Sequence, residues 1–195
     1  MVEILSPLGE AFRPGSHGNL ALKPGVTLSE CGFGSIVETV CWSGCEPALI
    51  ETIRAATGLH LPDGAGGGII EGPRAGFGIG PGRFLLRDEA CGLSEALRAA
   101  FAIDTGTVTD LSHGRTAFRI AGPAAGWVLA KLFAIDFSQS SFPLHAGRAS
   151  AHHDIHAAIQ RSGEDVFDLF VFRSFARSFW TMLGHAAAEV GYLVK

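Results

Sequence analysis

The chain has 195 residues, of which 47% are hydrophobic and only 17% charged, and its formal net charge is −4. That length suits one domain or two small halves fused into one body, and it is enough to bury a core without help from a metal or a disulfide. The composition excludes a disordered chain, a coiled coil and a collagen-like chain, the acidic balance argues against nucleic acid as a partner, and no apolar run is long enough to predict a membrane helix.

Residues 1–26 hold Pro7, Pro14, Gly15, Gly18, Pro24 and Gly25 and show no period. They predict an extended N-terminal arm that packs on the body or on a partner. The opening residues, Met1 to Pro7, have neither the basic start nor the apolar stretch of an export signal. This predicts a cytoplasmic protein whose cysteines are reduced thiols. Ser35 to Trp42 is rich in β-branched residues and ends at Ser43-Gly44, which predicts a strand. Pro47 opens a helix over 48–56, with Leu49, Ile50, Ile53 and Ala56 on one side and Gly58 at its C-terminal cap. Phe84-Leu85-Leu86 forms a short strand, with Phe77-Gly78-Ile79 as its hairpin partner. A helix over 93–102 and a strand over 107–111 complete a β-α-β-β-α-β order.

The same order then returns. A strand over 117–121 ends at Gly122, and Pro123 starts a helix through Trp127 and Lys131. A long strand is expected over 149–160, paired with Val166 to Phe172, followed by a helix capped by Ser174. The inward stripe of that helix reads Phe175, Phe179, Met182, Leu183, Ala186 and Val190. The expected fold class is therefore α+β: two split β-α-β (ferredoxin-like) halves, about 27–111 and 112–195, forming one body.

Four features invite a chemical reading. The glycine-rich stretch 62–82 lacks both the dinucleotide fingerprint and a G-K-[ST] element, so it reads as a loop or hairpin and not as a phosphate cradle. Cys41 and Cys45 lack a second pair for zinc, and Cys31 and Cys91 stand alone; all four read as buried inert thiols, with a metal or redox role as the alternative. On a continuous strand His152, Asp154 and His156 share one face, which suits either a metal or a polar face turned to solvent or a partner. Asp110-Leu111-Ser112-His113 holds the residue types of a triad, yet triads are assembled from separated segments. Asp110 and Ser112 read as turn residues, and His113 or Arg115 as reaching a partner. Arg173 and Arg177, four apart, lie off the core stripe on a solvated or partner-facing side. The expected catalytic, cofactor and metal sites in this chain are none, and the partner-facing candidates are His113, Arg115, His152, Asp154 and His156. A charge-poor chain of mean hydropathy +0.28 also suits a subunit that hides one face against another chain.

Two blocks carry a resemblance. Val108-Thr109-Asp110-Leu111-Ser112-His113-Gly114-Arg115 leads into Phe118-Arg119-Ile120-Ala121-Gly122-Pro123-Ala124-Ala125 and Val128 to Lys131, and Asp165 to Ala176 leads into Phe179-Trp180. Together they resemble the gamma subunit family of heterotetrameric sarcosine oxidase. The first block alone is shared with the folate-binding aminomethyltransferase superfamily, whose stand-alone members are much longer, and the stretch 62–76 does not align. The resemblance implies a fold like the folate-binding aminomethyltransferase domains and membership of a complex that oxidatively demethylates sarcosine to glycine. In that complex the one-carbon unit passes to tetrahydrofolate and oxygen is reduced to peroxide. FAD, FMN, NAD and tetrahydrofolate are implied for the larger subunits, which are the expected partners, and this chain is implied to be non-catalytic. The alternative is an independent small folate-binding aminomethyltransferase-like protein.

Overall fold

The computed structural model describes residues 5–21, 23–62 and 66–195. In chain order the elements are β1 (Gly15–His17), β2 (Val26–Cys31), β3 (Ser35–Cys41), α1 (Glu46–Thr57), β4 (Gly68–Glu71), β5 (Arg74–Gly80), β6 (Arg83–Asp88), α2 (Leu93–Ala100), β7 (Gly106–Asp110), β8 (Arg115–Ala121), α3 (Ala125–Ala130), β9 (Gly147–His152), β10 (Ile155–Gly163), β11 (Val166–Phe172), α4 (Ala176–Ala187) and β12 (Tyr192–Val194). They divide into two compact units: Gly32–Ser112 with His145–Ala149, and Met1–Cys31 with His113–Leu144 and Ser150–Lys195. The division differs from a cut at residue 111, because β2 belongs with the second group of segments.

The smaller unit carries a five-stranded sheet in the order β4-β5-β6-β3-β7, every neighbouring pair antiparallel. Without β4 this is the strand order of a ferredoxin-like β-α-β-β-α-β unit. Ile36, Val37, Thr39 and Val40 make β3 a β-branched central strand. Pro47 sits in the first turn of α1, where its missing N–H costs nothing, and Gly58 ends the helix in the left-handed region at φ 81°. Leu49 and Ile53 of α1 and Leu93 and Leu97 of α2 pack with Val37, Phe84 and Leu86 of the sheet to form its core. The glycine-rich stretch contains a strand the sequence pattern did not reveal, β4, turning through Gly72 into β5. At Gly76 in β5 a Cβ would lie 2.9 Å from Leu61 and 3.2 Å from Leu86, so glycine there leaves room for core leucines. Gly64 of that stretch lies outside the described residues.

The larger unit carries a seven-stranded sheet in the order β1-β12-β2-β8-β11-β10-β9. Its order along the chain, β8-α3-β9-β10-β11-α4-β12, repeats that of the smaller unit element for element. The exception is β2, an antiparallel neighbour of β8 and a parallel neighbour of β12, inserted where the repeat alone would put β12 beside β8. The α+β reading with two split β-α-β halves therefore holds. One face of this sheet packs its aromatics against α4: the Phe118 ring centroid lies 6.1 Å from Phe179 and 5.2 Å from Trp180.

Several expectations are corrected. The strand expected over 149–160 is a hairpin: β9 ends at His152, His153 adopts φ 50°, and β10 leaves at Ile155. Ala149 and Ala151 before the turn and Ile155 and Ala157 after it keep the same phase, which conceals it. Residues 1–26 do more than form an arm, since β1 pairs with β12 and Leu8 is fully buried; Met1 to Ile4 lie outside the described residues. Ser174 does not cap the last helix; it lies in a 3-10 turn, and Phe175 precedes α4 with no side-chain cap. Trp180 takes the buried place expected of Phe175, which is 36% exposed.

In β8 and β11, Arg119 stands directly opposite Asp168. Arg119 Nε and Nη2 donate to Asp168 Oδ1 and Oδ2 at 2.6 and 2.9 Å, and Asp168 is completely buried. Removing the guanidinium strands a buried carboxylate, so Arg119→Ala should cost about 3 kcal/mol of unfolding free energy in urea titration, whereas removing the exposed Glu51–Arg54 pair should leave the urea midpoint essentially unchanged.

Candidate functional site

Asp110 and Ser112 sit where β7 runs into the turn before β8. Ser112 donates its backbone N–H at 2.9 Å and its hydroxyl at 2.6 Å to Asp110 Oδ1, and the Ser94 hydroxyl lies 3.3 Å from Asp110 Oδ2. Ser112 Oγ also accepts the Ile36 N–H at 3.1 Å, so the turn is stitched to β3. This is the local side-chain-to-backbone role expected of the two residues. Burial pushes the Asp110 carboxyl up, but the hydrogen bonds from Ser112 and Ser94 and the Arg98 charge outweigh it and hold the group below its ordinary range. His113 is exposed, outside the hydrogen bonds joining Asp110 to Ser112. The three residue types are neighbours in sequence without forming a Ser-His-Asp relay.

Arg115 opens β8 directly opposite Phe172 at the end of β11. Its guanidinium carbon lies 4.2 Å from the Phe172 ring centroid, and its Nη1 donates to the Phe170 carbonyl at 3.3 Å. The remaining three candidates do not share a face, because the hairpin turn separates them. His152 ends β9 half-buried, its Nδ1 2.7 Å from the Leu132 carbonyl oxygen. Asp154 lies in the turn and His156 on β10, both exposed. Among the described residues no three His, Cys, Asp or Glu side chains are gathered to hold a metal. None of the four cysteines is in a disulfide; Cys31, Cys41 and Cys45 are partly buried, and Cys91 is exposed, contrary to a uniformly buried set.

A cavity of about 460 Å³ lies along α4 of the larger unit. Arg13, His17, Trp180, Thr181, His185 and Tyr192 are among the residues around it. His17 stacks on Tyr192 at 5.2 Å and its Nε2 lies 2.8 Å from the Arg13 carbonyl oxygen; burial pushes the Tyr192 phenol up. The sequence pattern gave no warning of this groove, since its walls come from residues 10–17 and 180–194. The role of Arg173 and Arg177 was equally hidden. Their guanidiniums donate to the carbonyls of Leu5 and Pro7 and latch the N-terminal segment.

Comparison with known proteins identifies the family. A family model described as "Sarcosine oxidase, gamma subunit family" matches residues 43–189. The chain belongs to this family. Sarcosine oxidase subunit gamma of Corynebacterium sp. (strain P-1) is 32% identical over 160 residues, covering 80% of this chain and 75% of the relative. The solved heterotetrameric sarcosine oxidase of Corynebacterium sp. U-96, in complex with pyrrole 2-carboxylate, contains a chain that superimposes with a TM-score of 0.80 at 28% identity over 95% of both chains. Glycine cleavage system aminomethyltransferase T from Bartonella henselae shares the fold, with a TM-score of 0.63 at 17% identity over 93% of this chain and 57% of that one. Both blocks that carried the resemblance in the sequence lie wholly within the matched residues.

The Asp110 turn makes a testable prediction for a member of this family. A carboxyl held below its unfolded value stabilises the fold fully above that unfolded value, near pH 4, and the contribution is lost as pH falls through the depressed folded value. Asp110→Asn should therefore flatten the loss of stability as pH falls below about 4, read from urea midpoints at stepped pH. An acid limb identical to that of the unsubstituted protein contradicts the account.

Proposed function

We propose that this chain is the gamma subunit of a heterotetrameric sarcosine oxidase, a flavin-dependent oxidoreductase acting on the CH–NH bond of sarcosine. In this reading it packs on and stabilises a larger subunit and contributes no catalytic residue. The observation that carries the reading is the superposition on a chain of the Corynebacterium enzyme over 95% of both chains. The larger subunits hold FAD, FMN and NAD, and the one-carbon unit released from sarcosine passes to tetrahydrofolate there. The complex works in the cytoplasm; no helix among the described residues is long and apolar enough to cross a membrane.

The non-catalytic role is supported by the chemistry of the turn at Asp110. The acid of the pattern shared with the aminomethyltransferases accepts the Ser112 N–H and hydroxyl on one oxygen and lies against the Ser94 hydroxyl with the other, so it is engaged by its own turn and by α2. The alternative of an independent folate-binding enzyme is the weaker one, since the match to the sarcosine oxidase chain covers 95% of both chains and the match to the aminomethyltransferase covers 57% of that protein.

The test is co-expression of the tagged full chain with the larger subunits. A yellow complex with sarcosine-dependent peroxide production is the expected result, and a colourless chain eluting alone overturns the subunit reading. In the assembled complex Ser112→Ala should leave kcat within about twofold, because removing a catalytic nucleophile or its relay partner costs orders of magnitude. A loss of a hundredfold or more would place chemistry in this chain.

A further inference from the structure

The larger unit gathers side chains from three distant segments at one place. Phe172, 39% exposed, ends β11; Phe175, 36% exposed, follows in the 3-10 turn; Leu5, 67% exposed, is brought alongside by Arg173. Arg115 lies over the Phe172 ring, and the Arg173 N–H donates to the Gly114 carbonyl at 2.9 Å, which adds the exposed His113 to the same rim. Aromatic rings and arginines are what the centres of protein interfaces are enriched in. Exposed rings on a soluble surface mark contact sites when they are contiguous and not scattered.

Charge says what fits there. Arg173 and Arg177 spend their hydrogen bonds on the neutral carbonyls of Leu5 and Pro7, and among the described residues neither is ion-paired. Glu30, whose carboxylate accepts from the hydroxyls of Ser6 and Thr116, keeps its negative charge near the same N-terminal segment, one against the three of Arg115, Arg173 and Arg177. A chain of net charge −4 thus presents a locally cationic, aromatic patch. Its side chains are already ordered, Arg115 by the ring and Arg173 and Arg177 by the carbonyls, so docking freezes few rotamers.

We infer that this Arg115–Phe172–Phe175–Arg173 patch is the docking surface for a larger subunit of the enzyme, and that it takes an acidic segment carrying an apolar anchor. The inference rests on the subunit reading and adds the face and its chemistry.

The experiment uses the tagged full chain co-expressed with the larger subunits, with captured large subunit measured per mole of tagged chain. The double variant Phe172→Ser, Arg115→Glu should retain about a tenth or less of the large subunit, and raising salt from about 0.05 to about 0.5 M should weaken capture by the unsubstituted chain. Phe175→Ser, outside the sheet, should lower capture without altering the melting midpoint, which separates docking from folding. Ile103→Ser, at an apolar position 93% exposed on the smaller unit, should capture normally. Equal capture by the double variant and Phe175→Ser overturns the docking surface while the subunit reading stands, and so does a loss confined to Ile103→Ser. Salt-independent capture overturns the acidic partner. If the unsubstituted chain captures nothing, the subunit reading fails and this inference with it.

Discussion

The buried carboxylate of Asp168 constrains the larger unit more than any other single group. A fully buried carboxylate must be paired, and the side chain opposite it in the register of β8 and β11 is Arg119. A slip of one residue would turn the arginine to the other face and leave the charge alone. With that pair set, Ser29 of β2 falls opposite Arg119, and Gln160 of β10 falls opposite Asp168. Four strands are thereby indexed from one ion pair. Four residues along from Asp168, the same register places Phe172 across from Arg115, so the patch at the sheet end follows from a charge buried in its middle.

Much of this was legible in the residues. β3, α1, α2 and the β5–β6 hairpin were visible because their cues are local: β-branched runs, Pro47 in a first turn, Gly58 and Gly82 at positive φ. The repeated order of elements was visible for the same reason. The hairpin at His153-Asp154 was not: Asp154 is a usual turn residue, but the apolar positions keep the same phase on either side of the turn, so the two strands read as one. β4 was hidden by a glycine whose purpose is tertiary: nothing near Gly68 in sequence says that the His145 carbonyl and Phe77 occupy the space of its Cβ.

The site followed the same rule. The roles of Asp110 and Ser112 could be read from their spacing, since an Asx turn is a short-range device. His113 and Arg115 were singled out from one segment and Arg173 and Arg177 from another. That these meet, and that Phe172 joins them on the surface and not in the core, depends on strand pairing between positions more than fifty residues apart. The supposed cluster of His152, Asp154 and His156 failed because it assumed one strand where there are two.

The position of β12 has a consequence for how the protein is made. Residues 192–194 lie between β1 and β2, so the larger sheet waits for segments from opposite ends of the described chain to meet. On the ribosome the smaller unit has nearly all its strands available once residue 112 has emerged, whereas β2 exposes an unpaired edge until the final strand arrives. Synthesis therefore passes through a stage in which a finished ferredoxin-like body trails an open sheet, and that interval is when the nascent chain is most exposed to misassociation.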